Sequence, residues 1–187
     1  MSQNARPTVK VRPASFPADK EITSQLFLAY AQSLPISLDF QNFQDELSQL
    51  PGKYAGENGG AVFLAYIPVA KSGEKDQNGD LRGNLEESEQ IIGCVAIRPF
   101  TPPRICELKR LYLTPASRGL GVSKLLMDVA LGQARELGYR EMLLDTLRSM
   151  TPARTLYAKY GFEEIGSYYE SVEDAVFYRL VLEEGES

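Results

Sequence analysis

The chain has 187 residues, of which 43% are hydrophobic and 24% are charged, and its net charge at pH 7 is -5. This length predicts one globular domain over residues 1–187, and the composition excludes a disordered or fibrous chain. The acidic balance argues against a nucleic-acid partner, because duplex binding depends largely on Lys and Arg that neutralise phosphates. No apolar run approaches the roughly 20 residues of a membrane span, so no membrane association is expected, and the polar N-terminus predicts a cytoplasmic location.

The chain contains no histidine and only two cysteines. The absence of histidine excludes Ser-His-Asp and Cys-His mechanisms and every His-ligated zinc site, and no metal is expected. Cys94 and Cys106 lie in hydrophobic, strand-like segments, which favours small core residues over a disulfide or a nucleophile. Proton transfer therefore falls to Glu, Asp, Tyr, Lys or water.

The first half of the chain alternates between strand and helix patterns. A helix is expected to begin near Asp19 and to end at Pro35, because apolar residues recur there at helical spacing. A second helix, with Asp39 as its cap, shows an aromatic and leucine stripe at the same spacing. Alternating or continuous apolar runs predict strands over 9–12, 61–69 and 91–100. The polar, glycine-containing stretch 71–90 between the last two strands predicts a long, mobile hairpin loop.

The second half shows a regular alternation of strands and helices. An amphipathic helix is predicted over 118–137, stopped by Gly138, and a short helix over 152–160, stopped by Gly161. Strands are predicted over 105–113, 141–147, 162–165 and 176–182. Together these elements predict a mixed α/β layer fold in the α+β sense.

A glycine loop separates the strand at 105–113 from the long helix. It reads Arg118-Gly119-Leu120-Gly121-Val122-Ser123. Glycines let the backbone approach an anion, and the amides of the first helical turn point at it with the positive end of the helix dipole. The loop therefore predicts a phosphate site, although a bare Gly-x-Gly would also suit a plain tight turn.

A dinucleotide site of the Rossmann type is the chemical rival for this loop. Asp145 ends the following strand about where a ribose-binding acid would be expected. Lys124 occupies the position of the third glycine, which argues against close helix-to-strand packing of that type. No Gly-Lys-Ser or Gly-Lys-Thr follows the glycines, so a P-loop does not fit either.

The loop and a second motif resemble the GNAT superfamily of N-acetyltransferases. The family signature is Gln or Arg, two residues, Gly, one residue, then Gly or Ala, and here Ser123 departs from its last position. The segment 156–162, Leu-Tyr-Ala-Lys-Tyr-Gly-Phe, is similar to the family's Leu-Tyr-x-x-x-Gly-Phe. Segments 50–54, 106–113 and 144–147 look like a widespread uncharacterised subgroup. The resemblance implies a mostly antiparallel central sheet of six to seven strands flanked by about four helices.

The resemblance also implies acetyl-CoA as the cofactor and an amine as the acetyl acceptor. The strand before the loop would splay from its neighbour, its backbone would pair with the pantetheine arm, and an N–H near Leu113 would donate to the developing oxyanion. Met150 stands where many members carry a cofactor-binding asparagine, so Ser149 or Thr151 could substitute. The implied cofactor-binding residues are Leu111, Tyr112, Leu113, Arg118, Gly119, Leu120, Gly121, Val122, Ser123, Lys124, Thr146, Ser149 and Ala153.

Two residues are candidates for the proton transfers. Glu107 stands where several family members keep a catalytic glutamate, often acting through water, although its strand also offers Lys109 and Arg98 as ion-pair partners. Tyr157 matches the family tyrosine that protonates the leaving thiolate, although a core tyrosine would satisfy the same pattern. Both alternatives stay open at the level of sequence.

The acceptor pocket is implied to include Phe40, Arg98, Tyr168 and Tyr169, which are aromatic or charged. A small amine, an amino acid or a peptide amine fits this set, and the expected reaction is direct attack in a ternary complex. A protein that binds acyl-CoA as a sensor or interaction module, without turnover, is the alternative. The resemblance also allows a homodimer through exposed sheet edges.

Overall fold

The computed structural model describes residues 6–38, 42–70, 87–171 and 174–182. Within those ranges the chain forms seven strands and four α-helices, which confirms the predicted mixed α/β fold. The strands are β1 Lys10–Pro13, β2 Ala61–Ala70, β3 Glu87–Phe100, β4 Ile105–Leu113, β5 Glu141–Leu147, β6 Glu163–Ile165 and β7 Ala175–Val181. The helices are α1 Lys20–Ser33, α2 Phe43–Ser48, α3 Val122–Glu136 and α4 Thr151–Lys159.

All seven strands belong to one sheet, in the order β1-β2-β3-β4-β5-β7-β6. Every neighbouring pair is antiparallel except β4 and β5, which run parallel. A parallel pair needs a crossover connection, and α3 supplies it. The loop that precedes α3 therefore lies at the carboxyl end of β4, beside the parallel pair.

Helices cover both faces of the sheet, and the central strands are buried on both sides. On one face, α3 buries Val122, Leu126, Met127, Ala130 and Ala134 against a cluster that includes residues of α4. On the other face, α1 and α2 pack over a second cluster centred on β2 and β3. Such a central layer holds β4 and β5 rigidly between two cores.

Most predicted boundaries are confirmed, with β4 and β5 reproduced in full. The predicted helix over 118–137 begins only at Val122, because Gly119 and Gly121 adopt φ values of 73° and 72°, outside the helical region. The predicted loop 71–90 is wrong at its end, since β3 begins at Glu87 and pairs with β2 from there. Its remainder, 71–86, lies outside the described residues.

The second helix begins at Phe43, later than predicted, and Asn42 precedes it as the cap. The predicted cap Asp39 and the predicted acceptor residue Phe40 lie outside the described residues. In the part of the chain that the structure describes, no helix is long and apolar enough to cross a bilayer.

Candidate active site

A bulge in β4 marks the centre of the site. The register between β3 and β4 shifts between Cys94 and Ala96, and opposite that shift Arg110 has φ 59°. A non-glycine residue in the left-handed region costs about 1–2 kcal/mol, so the surrounding contacts must hold it there. Arg110 contacts Tyr30 of α1 and Glu46 of α2, while Leu108 and Leu111 pack into the α3 cluster.

The two parallel strands separate beyond the bulge. β4 and β5 pair at only three positions, the last of which joins Glu107 to Leu143, although β4 continues to Leu113 and β5 to Leu147. Their facing backbone groups beyond that point are not used by this pair. An extended ligand with amide groups can add there like a strand. The splaying implied by the family resemblance is therefore present.

A cavity of about 360 Å³ fills the opening between these strands, a size typical of small-molecule sites. Five of the residues predicted to bind the cofactor contribute to its wall: Leu111, Leu113, Ser123, Thr146 and Ala153. The catalytic candidate Tyr157 also lines it. Met150 also lines it, at the position where the family often carries asparagine. The wall is mainly apolar, as the thin arm of a coenzyme requires.

The glycine loop forms a second cavity, of about 430 Å³, which shares Leu113 and Ser123 with the first. Gly121 is the N-cap of α3, and a Cβ built on it would meet nothing within 4 Å, so glycine is required there by its positive φ and not by crowding. Arg118 is exposed and, among the residues that the structure describes, has no acidic partner. The remaining wall residues from the prediction are Tyr112, Gly119 and Val122.

Three predicted cofactor residues line neither cavity: Leu120, Lys124 and Ser149. The ammonium of Lys124 instead pairs with Asp128 one turn along α3, with Nζ 2.6 Å from Oδ2. Tyr160 also donates to Asp128, at 2.6 Å. The side chain of Lys124 therefore lies along the exposed face of α3.

Glu107 is fully buried and holds several partners. Its Oε2 lies 2.5 Å from Arg98 Nη2, and its Oε1 lies 3.2 Å from Lys109 Nζ and accepts a hydrogen bond of 2.9 Å from Tyr168. Both ion pairs that the sequence offered are thus formed. Because both oxygens are engaged, Glu107 can accept a proton only through a bridging group or after a partner moves.

A second ion pair spans the opening between the strands. Lys109 Nζ on β4 lies 2.5 Å from Asp145 Oδ1 on β5. Burial raises the pKa of Asp145, but the charge and hydrogen bond of Lys109 outweigh it, so the pKa lies below its usual value. Both residues line the cavity, and Glu107 does not. The carboxylate at the apex of the opening is therefore that of Asp145.

A buried network on α2 holds the bulge. Glu46 Oε1 accepts from Arg110 Nε at 2.7 Å and from the Tyr54 hydroxyl at 3.0 Å, and Lys53 Nζ lies 2.6 Å from Oε2. Burial raises the pKa of Glu46, but Arg110 and Lys53 lower it to about 2. The Arg110 guanidinium also stacks near the rings of Tyr30 and Phe43. The role of Glu46 could not be predicted from the sequence, because its partner Arg110 lies 64 residues away.

Tyr157 satisfies both interpretations that the sequence left open. It is 5% exposed and its ring packs 5.8 Å from that of Phe162 and 6.1 Å from that of Tyr178, centroid to centroid. It also lines the cavity between the strands. Burial raises the pKa of its phenol, so the hydroxyl remains protonated at neutral pH.

The other predicted acceptor residues form a shell behind the cavity wall. Arg98 and Tyr168 are joined through Glu107, and the rings of Tyr168 and Tyr169 lie 5.2 Å apart. Neither Arg98 nor these two tyrosines lines the cavity itself. The side chains that do so on this side were missed from sequence: Tyr30, Leu34, Ile36, Leu38 and Ser171.

Known proteins resemble this chain over most of its length. The model of the Acetyltransferase (GNAT) family matches residues 44–162. An uncharacterised N-acetyltransferase of Schizosaccharomyces pombe is 34% identical over 173 residues, covering 92% of this chain and 94% of the relative. Another, from Dictyostelium discoideum, is 29% identical and covers 84% and 92%.

Two solved structures share the fold. A GNAT-family acetyltransferase from Staphylococcus aureus Mu50 superposes with a TM-score of 0.68 at 19% identity, covering 94% of this chain and 100% of that one. A Salmonella typhimurium protein, assigned as an acetyltransferase and solved with its cofactor acetyl-CoA, has a TM-score of 0.64 at 17% identity and covers 96% and 97%.

This chain belongs to the acetyltransferase (GNAT) family. It is accordingly an acyltransferase of the N-acetyltransferase class, with acetyl-CoA as its cofactor and an amine as its acceptor. The two joined cavities suit that cofactor, because one offers an apolar opening with free backbone groups and the other a helix N-terminus with a nearby arginine.

Proposed function

We propose that this chain transfers the acetyl group of acetyl-CoA to a primary amine by direct attack, while both substrates are bound. The observation that carries the proposal is the opening between β4 and β5, which continues into the loop at the start of α3. When bound, acetyl-CoA supplies the acetyl group as a thioester. The acceptor enters from the face covered by α1 and α2, where the cavity is not enclosed by the two strands.

Residues that line the two cavities bind the coenzyme. The backbone of Leu111 and Leu113 pairs with the amides of the coenzyme arm, and Thr146 and Ala153 line the opposite wall. The amides at the start of α3 and the guanidinium of Arg118 bind the pyrophosphate. Side-chain specificity is low along the arm, because most contacts come from the backbone.

Two groups of this chain act on developing charge. A backbone N–H near Leu113 donates to the oxygen that becomes negative, and a donor of this kind lowers a barrier by about 3 kcal/mol. Tyr157 donates its hydroxyl proton toward the departing sulfur, because burial raises the pKa of its phenol and the hydroxyl is therefore protonated at neutral pH. Glu107 takes the proton from the amine through water, since Arg98 and Tyr168 occupy its oxygens directly.

A protein that binds acyl-CoA without turnover is the second candidate. The observation that favours it is the saturated ion pairing of Glu107, which leaves no free base on that side chain. Release of coenzyme thiol on addition of primary amines separates the two. Amine-dependent thiol release supports the enzyme, and tight acetyl-CoA binding without release across a broad amine panel supports the sensor.

The first experiment is a calorimetric titration with acetyl-CoA. We expect micromolar binding by the unaltered protein, and a loss of about 10- to 100-fold in Arg118→Glu, where a charge-assisted hydrogen bond is replaced by repulsion. Gly121→Asp, which disturbs the positive φ and adds a negative charge, should abolish binding. Arg135→Glu reverses a charge at the far end of the same helix and is the matched control. No binding at millimolar acetyl-CoA would refute the cofactor site.

A further inference from the structure

The cavity between the strands extends beyond the part that a coenzyme arm would fill. Its outer wall consists of Tyr30 on α1 and of Leu34, Ile36 and Leu38 in the segment that follows. Leu38 is buried, and the other two aliphatic side chains are half-buried. An apolar surface of this kind stabilises an apolar group of a ligand and offers nothing to a charged one.

One acidic side chain faces this wall. Among the described residues that line the cavity, Asp145 is the single carboxylate, and its side chain keeps 16% exposure while that of Glu107 has none. Lys109 holds Oδ1 of Asp145, which leaves the second oxygen outside that ion pair. The position directly across the opening from β4 is where an acceptor must present its nitrogen.

Two hydroxyls lie beside this carboxylate. Tyr169 Oη and Ser171 Oγ are both buried, and within the described parts of the chain neither has a partner at full hydrogen-bond geometry, although Tyr169 Oη lies near both Asp145 and Ser171. Ser171 lines the cavity, and Tyr169 is close enough to Asp145 that burial and this neighbouring charge raise the pKa of its phenol. Buried polar groups without partners are costly, so such groups at a cavity point to a ligand. An ammonium group has three N–H donors, of which one can reach the second oxygen of Asp145 and another Ser171 Oγ.

The cations near this point do not suit an anionic group instead. Lys109 is held between Glu107 and Asp145, and Arg110 is paired with Glu46. The nitrogen of each cation lies 3.2 Å or less from a carboxylate oxygen. A carboxylate on the ligand would have to displace one of these buried pairs.

We propose that Asp145 and Ser171 receive the ammonium group of the acceptor, and that Leu34, Ile36 and Leu38 hold an apolar stem attached to it. The acceptor class is then a primary amine on an apolar stem. This inference rests on the proposed acetyltransferase function and names the substrate class of the same site. It assigns recognition of the amine to Asp145, whereas Glu107 lies behind the wall.

The test is a titration by ¹H–¹⁵N NMR with butylamine, hexylamine and octylamine, which are charged at pH 7. Hexan-1-ol and hexanoate are the neutral and the anionic controls of equal length. We expect the amide signals of Asp145, Ser171 and Ile36 to shift, and affinity to rise by about fourfold for each methylene that the wall covers. Tighter binding of hexanoate than of hexylamine, or affinity independent of chain length, would overturn the proposal.

Two variants measure the contribution of the Asp145 charge and that of the apolar wall to amine binding separately. Asp145→Asn should weaken hexylamine by about 10-fold or more, to the level of hexan-1-ol, and Ile36→Ser should flatten the dependence on chain length. Asp128→Asn, which removes an exposed carboxylate on α3, should change neither. If Asp145→Asn binds hexylamine as the unaltered protein does, the ammonium site is refuted.

The failure of this inference can be told from that of the proposed function. Acetyl-CoA affinity, measured on every variant, reports on the loop and on correct folding, and Asp145→Asn should leave it within about twofold because no phosphate contact is touched. Should Asp145→Asn not fold, Ile36→Ser still tests the wall. Absence of acetyl-CoA binding alongside hexylamine binding at Asp145 would refute the acetyltransferase and support the amine site.

Discussion

Replacement of Glu46 by Gln tests how the bulge in β4 is held. The variant keeps the shape of the side chain but removes the charge that compensates Arg110, which is 3% exposed on its side chain, and Lys53. Arg110 and Lys53 lower the pKa of Glu46 from its usual 4.5 to about 2, which corresponds to about 3 kcal/mol. Loss of one partner of a buried ion pair typically costs about 3–5 kcal/mol, in agreement.

The contribution of Glu46 to the free energy of unfolding decreases at low pH. Because the folded-state pKa of Glu46 lies below its usual value, the ionised carboxylate stabilises the fold above about pH 4.5 and loses that contribution as pH falls toward 2. At pH 3 the unaltered protein has lost about 2 kcal/mol through this group. The destabilisation caused by Glu46→Gln should therefore shrink from about 3 kcal/mol at pH 7 to about 1 kcal/mol at pH 3.

Urea denaturation at both pH values measures this difference, with equal m values as the sign that the same transition is compared. Asp128→Asn is the matched control, because it removes the exposed carboxylate of a surface ion pair and should cost less than about 1 kcal/mol at either pH. A Glu46→Gln penalty that equals the control, or that is the same at pH 3 and pH 7, would refute the account of the network.

Three further predictions concern the site and its surroundings. Tyr157→Phe should lower kcat by about 100-fold with acetyl-CoA affinity unchanged, as calorimetry and steady-state kinetics can show, and an unchanged kcat would remove the phenol from the mechanism. Gly121→Ala should destabilise the fold by about 1–2 kcal/mol through its positive φ, whereas Gly132→Ala, on the same helix with open space around it, should stabilise it by up to about 1 kcal/mol; equal thermal shifts would contradict this. Cys94 and Cys106 are buried with pKa values raised to about 12 by that burial, so a thiol reagent should react only after denaturation, and rapid labelling of the native protein would show that the core opens.

The chain order of strands and helices could be predicted from the sequence alone. β4 and β5 are short segments rich in apolar residues between turn residues, which is a local property, and both strands end where predicted. The glycine loop was predicted for the same reason, since Gly119 and Gly121 adopt the positive φ values that their residue type allows. The error at the start of α3 has the same origin, because apolar periodicity does not register a left-handed cap.

Only some residues of the site could be predicted from the sequence, because others come together through contacts between distant segments. The phosphate loop and Tyr157 lie within two short motifs, so the sequence indicated them, and the structure places both at connected cavities. The acceptor side draws on α1, the segment that follows it, β4, β5 and the segment before β7. No motif joins such distant segments, so its apolar wall could not be predicted.

The sequence by itself determined the fold class, the glycine loop and the family, because backbone geometry, periodicity and short motifs are read from neighbouring residues. Only the tertiary structure decided which carboxylate faces the cavity. Glu107 and Asp145 are two acidic residues on adjacent strands, and the family resemblance favoured Glu107. Burial beneath Arg98 and Tyr168 encloses the first, while the separation of β4 from β5 exposes the second to the cavity.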